Sequence, residues 1–226
     1  MKHANITNPC LSASVSCMDL LNLEEQLREV EEANIAFLHY DVVDGQFNQC
    51  YILGDTLLEK MSEKTSLPIE AHLAIYEPEK HIERFAKAGA SYITVQYEAL
   101  IHPLETFALI RSYGCEPALC YKSTTPPGDD FLELAKEAAW ILKLTVNPGF
   151  SGQKIQPQAI EHIRTMASML KEAGIDTPIQ ADGNVNRSTI SLLHEAGATI
   201  FTGGTSGLFL ENATVSENAT LLLQSI

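Results

Sequence analysis

The stretch Phe37-Leu38-His39-Tyr40-Asp41-Val42-Val43-Asp44-Gly45 sets an imidazole and a carboxylate two residues apart in an apolar run. Residues two apart on a strand face the same way. His39 and Asp41 therefore share one face of a short buried strand that ends at the Asp44-Gly45 turn. Such a pair is half of a metal site; a buried histidine hydrogen-bonded to an aspartate is the plainer alternative. Two more runs carry the same residue types: Glu70-Ala71-His72-Leu73 and Gln180-Ala181-Asp182-Gly183. A satisfied core histidine would account for His72 alone. Taken jointly, His39, Asp41, His72 and Asp182 offer two imidazoles and two carboxylates, a set that suits Zn²⁺, Fe²⁺, Mn²⁺ or Co²⁺ better than Mg²⁺ or Ca²⁺. The remaining histidines, His3, His81, His102, His162 and His194, fall on helices or loops and read as solvated side chains.

A second group is rich in glycine: Asn147-Pro148-Gly149-Phe150-Ser151-Gly152-Gln153, Gly183-Asn184, and Gly203-Gly204-Thr205-Ser206-Gly207. Glycine lets the backbone approach a ligand closely, and N–H groups at a helix start can hold an anion. One such loop is explained as a tight turn. Three after adjacent strands favour a phosphate cradle.

The elements that must carry these residues alternate. Strands are expected at Leu11–Ser16, Ile35–Asp41, Pro68–Ile75, Ser91–Gln96, Pro117–Tyr121, Trp140–Val146, Pro178–Ala181 and Ala198–Thr202. Helices are expected between them, with Asn22 and Asn186 as caps, Glu25 in a capping box, Pro78 opening a helix over Glu79–Ala88, and Gly89, Gly114 and Gly174 as stops. Eight strands alternating with helices in 226 residues fit a closed parallel (β/α)8 barrel better than an open doubly wound sheet. In such a barrel the site lies at the C-terminal strand ends, where all four candidate ligands fall.

Composition narrows the function. One domain over residues 1–226 is expected. The net charge of -14 argues against a nucleic-acid partner but allows a small phosphorylated ligand held by backbone N–H groups. The five cysteines are odd in number and lack CxxC spacing, which suggests reduced thiols in a cytoplasmic protein. No apolar run approaches membrane-spanning length, so no membrane partner is expected; a homo-oligomer is.

These residues carry a resemblance. Cys17-Met18-Asp19-Leu20-Leu21, His39 to Gly45, His72-Leu73, Ala88-Gly89-Ala90, Thr145 to Gln153, Asp182-Gly183 and Gly204 to Phe209 together resemble the ribulose-phosphate 3-epimerase family, closest to its allulose-6-phosphate 3-epimerase branch. The resemblance implies a (β/α)8 barrel, one divalent metal ion on His39, Asp41, His72 and Asp182, and a sugar-phosphate substrate. It implies that Asp41 and Asp182 are the acid/base pair and that Ser14 and His72 contact substrate. It places Gly149, Phe150, Ser151 and Gly152 in one phosphate loop, and Gly183, Asn184, Gly204, Thr205 and Ser206 in the other contacts. Departures from the family pattern are Val43, Ala74 and Leu144 at positions usually held by methionine, Gln96 for a strand-four histidine, Cys120-Tyr121 where an Asn-Pro pair is usual, and Asn147 for an acidic residue.

The implied chemistry is inversion at C3 of a ketose phosphate. A C–H bond beside a ketone is a weak acid, and inversion needs a base on one face and an acid on the other. Two rivals remain at this stage. A decarboxylase on a similar barrel would need a lysine in the run His39 to Asp44, which has none. A non-catalytic sugar-phosphate-binding protein would keep the pocket without turnover.

Overall fold

The computed structural model describes residues 6–147 and 152–226. Among the described residues nine strands occur: β1 (Cys10–Ser14), β2 (Phe37–Asp44), β3 (Tyr51–Ile52), β4 (Ile69–Ala74), β5 (Tyr92–Gln96), β6 (Glu116–Tyr121), β7 (Ile141–Leu144), β8 (Ile179–Val185) and β9 (Ile200–Gly203). All except β3 pair in parallel in the ring order β1-β9-β8-β7-β6-β5-β4-β2, and β1 closes the ring on β2 with Ser14 beside His39. Eight α-helices follow the strands: α1 (Leu23–Glu32), α2 (Asp55–Ser62), α3 (Ile82–Lys87), α4 (Pro103–Ser112), α5 (Phe131–Glu137), α6 (Pro157–Glu172), α7 (Ile190–Glu195) and α8 (Val215–Leu223). This is the expected (β/α)8 barrel, formed as one domain.

Alternation along each strand divides the core in two. Leu38, Tyr40 and Val42 of β2 join the large layer between barrel and helices. Phe37, one residue out of phase with them, faces the barrel axis. There the Trp140 ring lies 4.9 Å from that of Phe37 and 4.5 Å from that of Tyr92, an apolar floor across the barrel. That floor excludes water from beneath whatever stands one layer higher on the same strands.

Several local expectations are corrected. The Asn22 amide does not cap α1; it donates to Asp19 Oδ2 at 2.6 Å. A reciprocal capping box instead opens α8, where Thr214 and Glu217 each bond the other's backbone N–H. The helix expected over Glu79–Ala88 begins as a single 3₁₀ turn, Pro78–Lys80, before α3. Asn186 sits in a tight turn, its Oδ1 accepting from the Ser188 N–H, so α7 starts only at Ile190. The two-residue β3 is additional. It pairs antiparallel with the end of β2, Val43 with Ile52 and Asp44 with Tyr51, and forms a flap at the rim.

Candidate metal centre

Period-2 geometry delivers the four candidate ligands to one place. β2 points His39 and Asp41 inward, β4 sets His72 beside Asp41, and β8 carries Asp182 beside Leu144 of β7. One ligand atom from each of the four lies within 4.8 Å of the others. His39 Nε2 is 3.0 Å from Asp41 Oδ1 and 3.8 Å from Asp182 Oδ2. His72 Nδ1 is 3.0 Å from the same Asp41 Oδ1. His39 is fully buried, whereas the Asp41 and Asp182 side chains keep 19% and 20% of their surface exposed. The two histidines thus form the inner side of the cluster, and the aspartates face out.

The charges are strongly coupled. Burial pushes Asp182 up to about 6, against the attraction of His39 and with repulsion from Asp41. Burial works the same way on Asp41, but His39 and His72 outweigh it and hold that carboxyl far below the ordinary carboxylate range. Burial would depress His39, yet Asp41 and Glu70 raise it well above an ordinary imidazole. Two carboxylate oxygens crowd one imidazole nitrogen, an arrangement that calls for a cation among them. Mixed imidazole and carboxylate donors are the set that borderline divalent ions take, so the residues present fit such an ion.

Behind the cluster lies a polar layer. Glu70 on β4 has no exposed surface, and its Oε2 is 2.6 Å from His39 Nδ1. Thr94 Oγ1 and Trp140 Nε1 donate to Glu70 Oε1 at 2.5 and 3.1 Å, and Gln180 Nε2 donates to Oε2 at 3.0 Å. The Gln96 amide lies 2.8 Å from His72 Nε2.

Above the cluster opens a cavity of about 540 Å³. Ser14, Asp41, His72, Gly152, Asp182, Gly183, Asn184, Gly204, Thr205 and Ser206 all stand on its wall. Gly149, Phe150 and Ser151 lie outside the described residues, as does His3. Ser14 Oγ approaches Asp41 Oδ2 at 3.4 Å, and Ser16 Oγ reaches the same oxygen at 3.3 Å. Ser206 donates to the Val185 carbonyl at 3.2 Å, which ties its loop to β8. Gly183 has a φ of +117°, and a Cβ there would sit 2.6 Å from Val146 Cγ2, so only glycine fits this turn. Val43, Ala74 and Leu144 line the cavity, while Gln96 does not and works from behind His72.

Reading the sequence missed Glu70, Thr94, Trp140, Gln180 and Ser16. The signal was present for two of them. Glu70 precedes His72, and Gln180 precedes Asp182, by two residues on a strand, so each had to share its neighbour's inward face. A buried glutamate in that position requires donors. Two helix histidines are also less free than expected: His194 Nδ1 is 3.1 Å from the Ala198 carbonyl, and burial lowers the basicity of His162.

Comparison with known proteins agrees with this geometry. The model of the ribulose-phosphate 3 epimerase family matches residues 10–209. The chain is 34% identical to a ribulose-phosphate 3-epimerase of Synechocystis over 202 residues, covering 88% of this chain and 87% of that one. It is 33% identical to a ribulose-phosphate 3-epimerase of Bacillus subtilis over 197 residues, covering 87% and 90%. Among solved structures, a mutant tryptophan synthase alpha-subunit from Pyrococcus furiosus superposes with a TM-score of 0.61 over 96% of both chains at 14% identity, a likeness of fold alone. The barrel, the inward His/Asp cluster and these similarities lead to one conclusion: the chain belongs to the ribulose-phosphate 3-epimerase family.

Proposed function

We propose that this protein is a metal-dependent epimerase that inverts C3 of a ketose phosphate. The observation that carries this reading is the pair Asp41 and Asp182. Both are partly exposed, both line one cavity, and both belong to one four-residue cluster.

A divalent ion held by His39, Asp41, His72 and Asp182 would supply the positive charge that makes a C–H beside a ketone more acidic. Zn²⁺, Fe²⁺, Mn²⁺ and Co²⁺ suit the donors. The remaining work falls to the chain. One aspartate takes the C3 proton from one face of the substrate, and the other delivers a proton to the opposite face. The roles exchange with the direction of reaction. Ser14 and Ser16 stand at Asp41 Oδ2, the oxygen turned away from His39, and orient it toward the cavity. The turn at Gly183-Asn184 and the loop Gly204-Thr205-Ser206 hold the phosphate, with Gly149, Phe150, Ser151 and Gly152 as the expected partner loop.

Pentulose and hexulose phosphates differ by one carbon. Val43 and Ala74 are short side chains on the cavity wall and favour the longer ketose, as does the resemblance to the allulose-6-phosphate branch. The deciding experiment is a coupled assay with ribulose 5-phosphate and allulose 6-phosphate side by side. Preference for allulose 6-phosphate supports the hexulose assignment; preference for ribulose 5-phosphate restricts it to the pentulose. The altered lining at Val43, Ala74 and Leu144 also favours, as the second reading, a sugar-phosphate-binding protein without turnover, which any turnover excludes.

A further inference from the structure

Glu70 takes no part in the chemistry above. It has no exposed surface, does not line the cavity, and is too deep to touch a substrate. A charged side chain in the middle of a barrel is costly unless every lone pair is met. Here every one is. Oε1 receives Thr94 Oγ1 and Trp140 Nε1; Oε2 receives Gln180 Nε2 and faces His39 Nδ1. An indole N–H can only donate, and the Gln180 amide must turn its NH₂ to a carboxylate. Three of the four partners are therefore donors to Glu70, and His39 Nδ1 completes the set as the fourth. A neutral imidazole has one N–H. When an ion takes the place of the second proton, the remaining one stays on Nδ1 against Glu70, and Nε2, the nitrogen that faces Asp41 and Asp182, is left to the ion.

We propose that Glu70 is the positioning residue of the metal centre: it fixes the His39 proton on Nδ1 and so aims the bare Nε2 lone pair at the ion. The inference rests on the metal reading given above. Thr94, Trp140 and Gln180 come from three further strands or their ends, so the whole barrel holds Glu70 in place. The second histidine is served differently. His72 Nε2 faces the amide nitrogen of neutral Gln96 at 2.8 Å, with no carboxylate behind it. The two imidazoles are thereby made unequal, with His39 the stronger ligand.

Glu70→Gln keeps the shape and breaks the pattern. Whichever way the new amide turns, its NH₂ meets N–H donors: Trp140 on one side, or His39 and Gln180 on the other. The test has two arms. First, ¹⁵N histidine spectra of zinc-loaded wild-type protein should show the His39 proton on Nδ1, shifted downfield by the short bond to Glu70; a proton on Nε2 instead overturns the proposal. Second, metal-free wild type, Glu70→Gln and Thr94→Val are titrated with Co²⁺ and followed by the d–d absorption. Wild type should bind one ion, Glu70→Gln about 10- to 100-fold more weakly, and Thr94→Val should fall between them. Thr94→Val keeps the carboxylate, so it and the wild-type spectrum decide the matter even if Glu70→Gln does not fold. Equal Co²⁺ affinity in all folded forms overturns the role of Glu70 alone. Wild-type protein that takes up no Co²⁺ overturns the metal reading as well.

Discussion

Asp41 and Asp182 reach the same nitrogen, His39 Nε2, from strands separated around the ring by β1 and β9. Neither alone is unusual at a barrel mouth. Together they place two carboxylates on one imidazole, with a cavity above and a sealed polar layer below. The pairing predicts what each single change does. Asp41→Asn and Asp182→Asn should each lower turnover by about 10²- to 10⁴-fold and stop incorporation of solvent deuterium at C3. Retained exchange in both variants, measured by mass spectrometry of the recovered ketose phosphate, would refute the pairing.

Removal of the ion should abolish activity and lower thermal stability. The four ligands belong to β2, β4 and β8, so an ion bound there ties three strands of the ring together. An ion at 100 times its dissociation constant adds about 2.7 kcal/mol to the folded state. Scanning calorimetry of chelator-treated and Mn²⁺- or Zn²⁺-reconstituted protein should show the melting point rise with metal. Identical melting curves would speak against a site at these residues.

Gly183 follows Asp182 directly, so its backbone sets the direction in which that carboxylate leaves the strand. Gly183→Ala forces a side chain into a left-handed turn and against Val146 and Thr145. The expected cost is about 1–3 kcal/mol of stability, with activity falling further than stability because Asp182 is displaced. Denaturant unfolding and steady-state kinetics on the same preparation separate the two. Unchanged kinetics in a destabilised variant would show that the turn does not position Asp182.

Lys143 gives a pH signature of the fold. It points away from the barrel axis, has no exposed surface, and donates to the Lys122 and Thr125 carbonyls at 2.6 Å each. Burial pushes its ammonium down to about 8, with Cys120 and Glu98 opposing. Below that pH the folded and unfolded chains both carry the proton, and Lys143 adds no slope. Between about 8 and the unfolded value near 10.4 the unfolded chain holds a proton that the folded chain has lost, so stability rises with pH, by at most about 3 kcal/mol. Urea unfolding across this window should show that rise in wild type and its absence in Lys143→Met. A parallel slope in both proteins would assign the effect elsewhere.

The barrel and the four-residue cluster were legible because strand periodicity fixes facing with no knowledge of partners. His39 with Asp41, and His72 and Asp182 at their own strand ends, needed only the rule that alternate residues share a face. The cage around Glu70 was half legible. Glu70 announces a buried charge, but Thr94 and Trp140 lie 24 and 70 residues away and carry no local mark of their role. Strand β3 was not legible, since two residues provide no periodicity. Asn22 looked like a cap by type, yet its amide found Asp19, a closer and charged partner. The start of α7 was set by the turn hydrogen bonds of Asn186 rather than by hydrophobic spacing. The contribution of Ser16 depends on the approach of β1 to β2, a contact between separate strands that no local pattern encodes.

The central claim is proton exchange at one carbon of a ketose phosphate. Metal-loaded protein incubated in D₂O with ribulose 5-phosphate, and separately with allulose 6-phosphate, is read by proton NMR at C3. Loss of the C3 proton signal together with appearance of the epimer is the predicted result for at least one of the two. Folded, metal-bound protein that leaves both C3 protons in place would contradict the account.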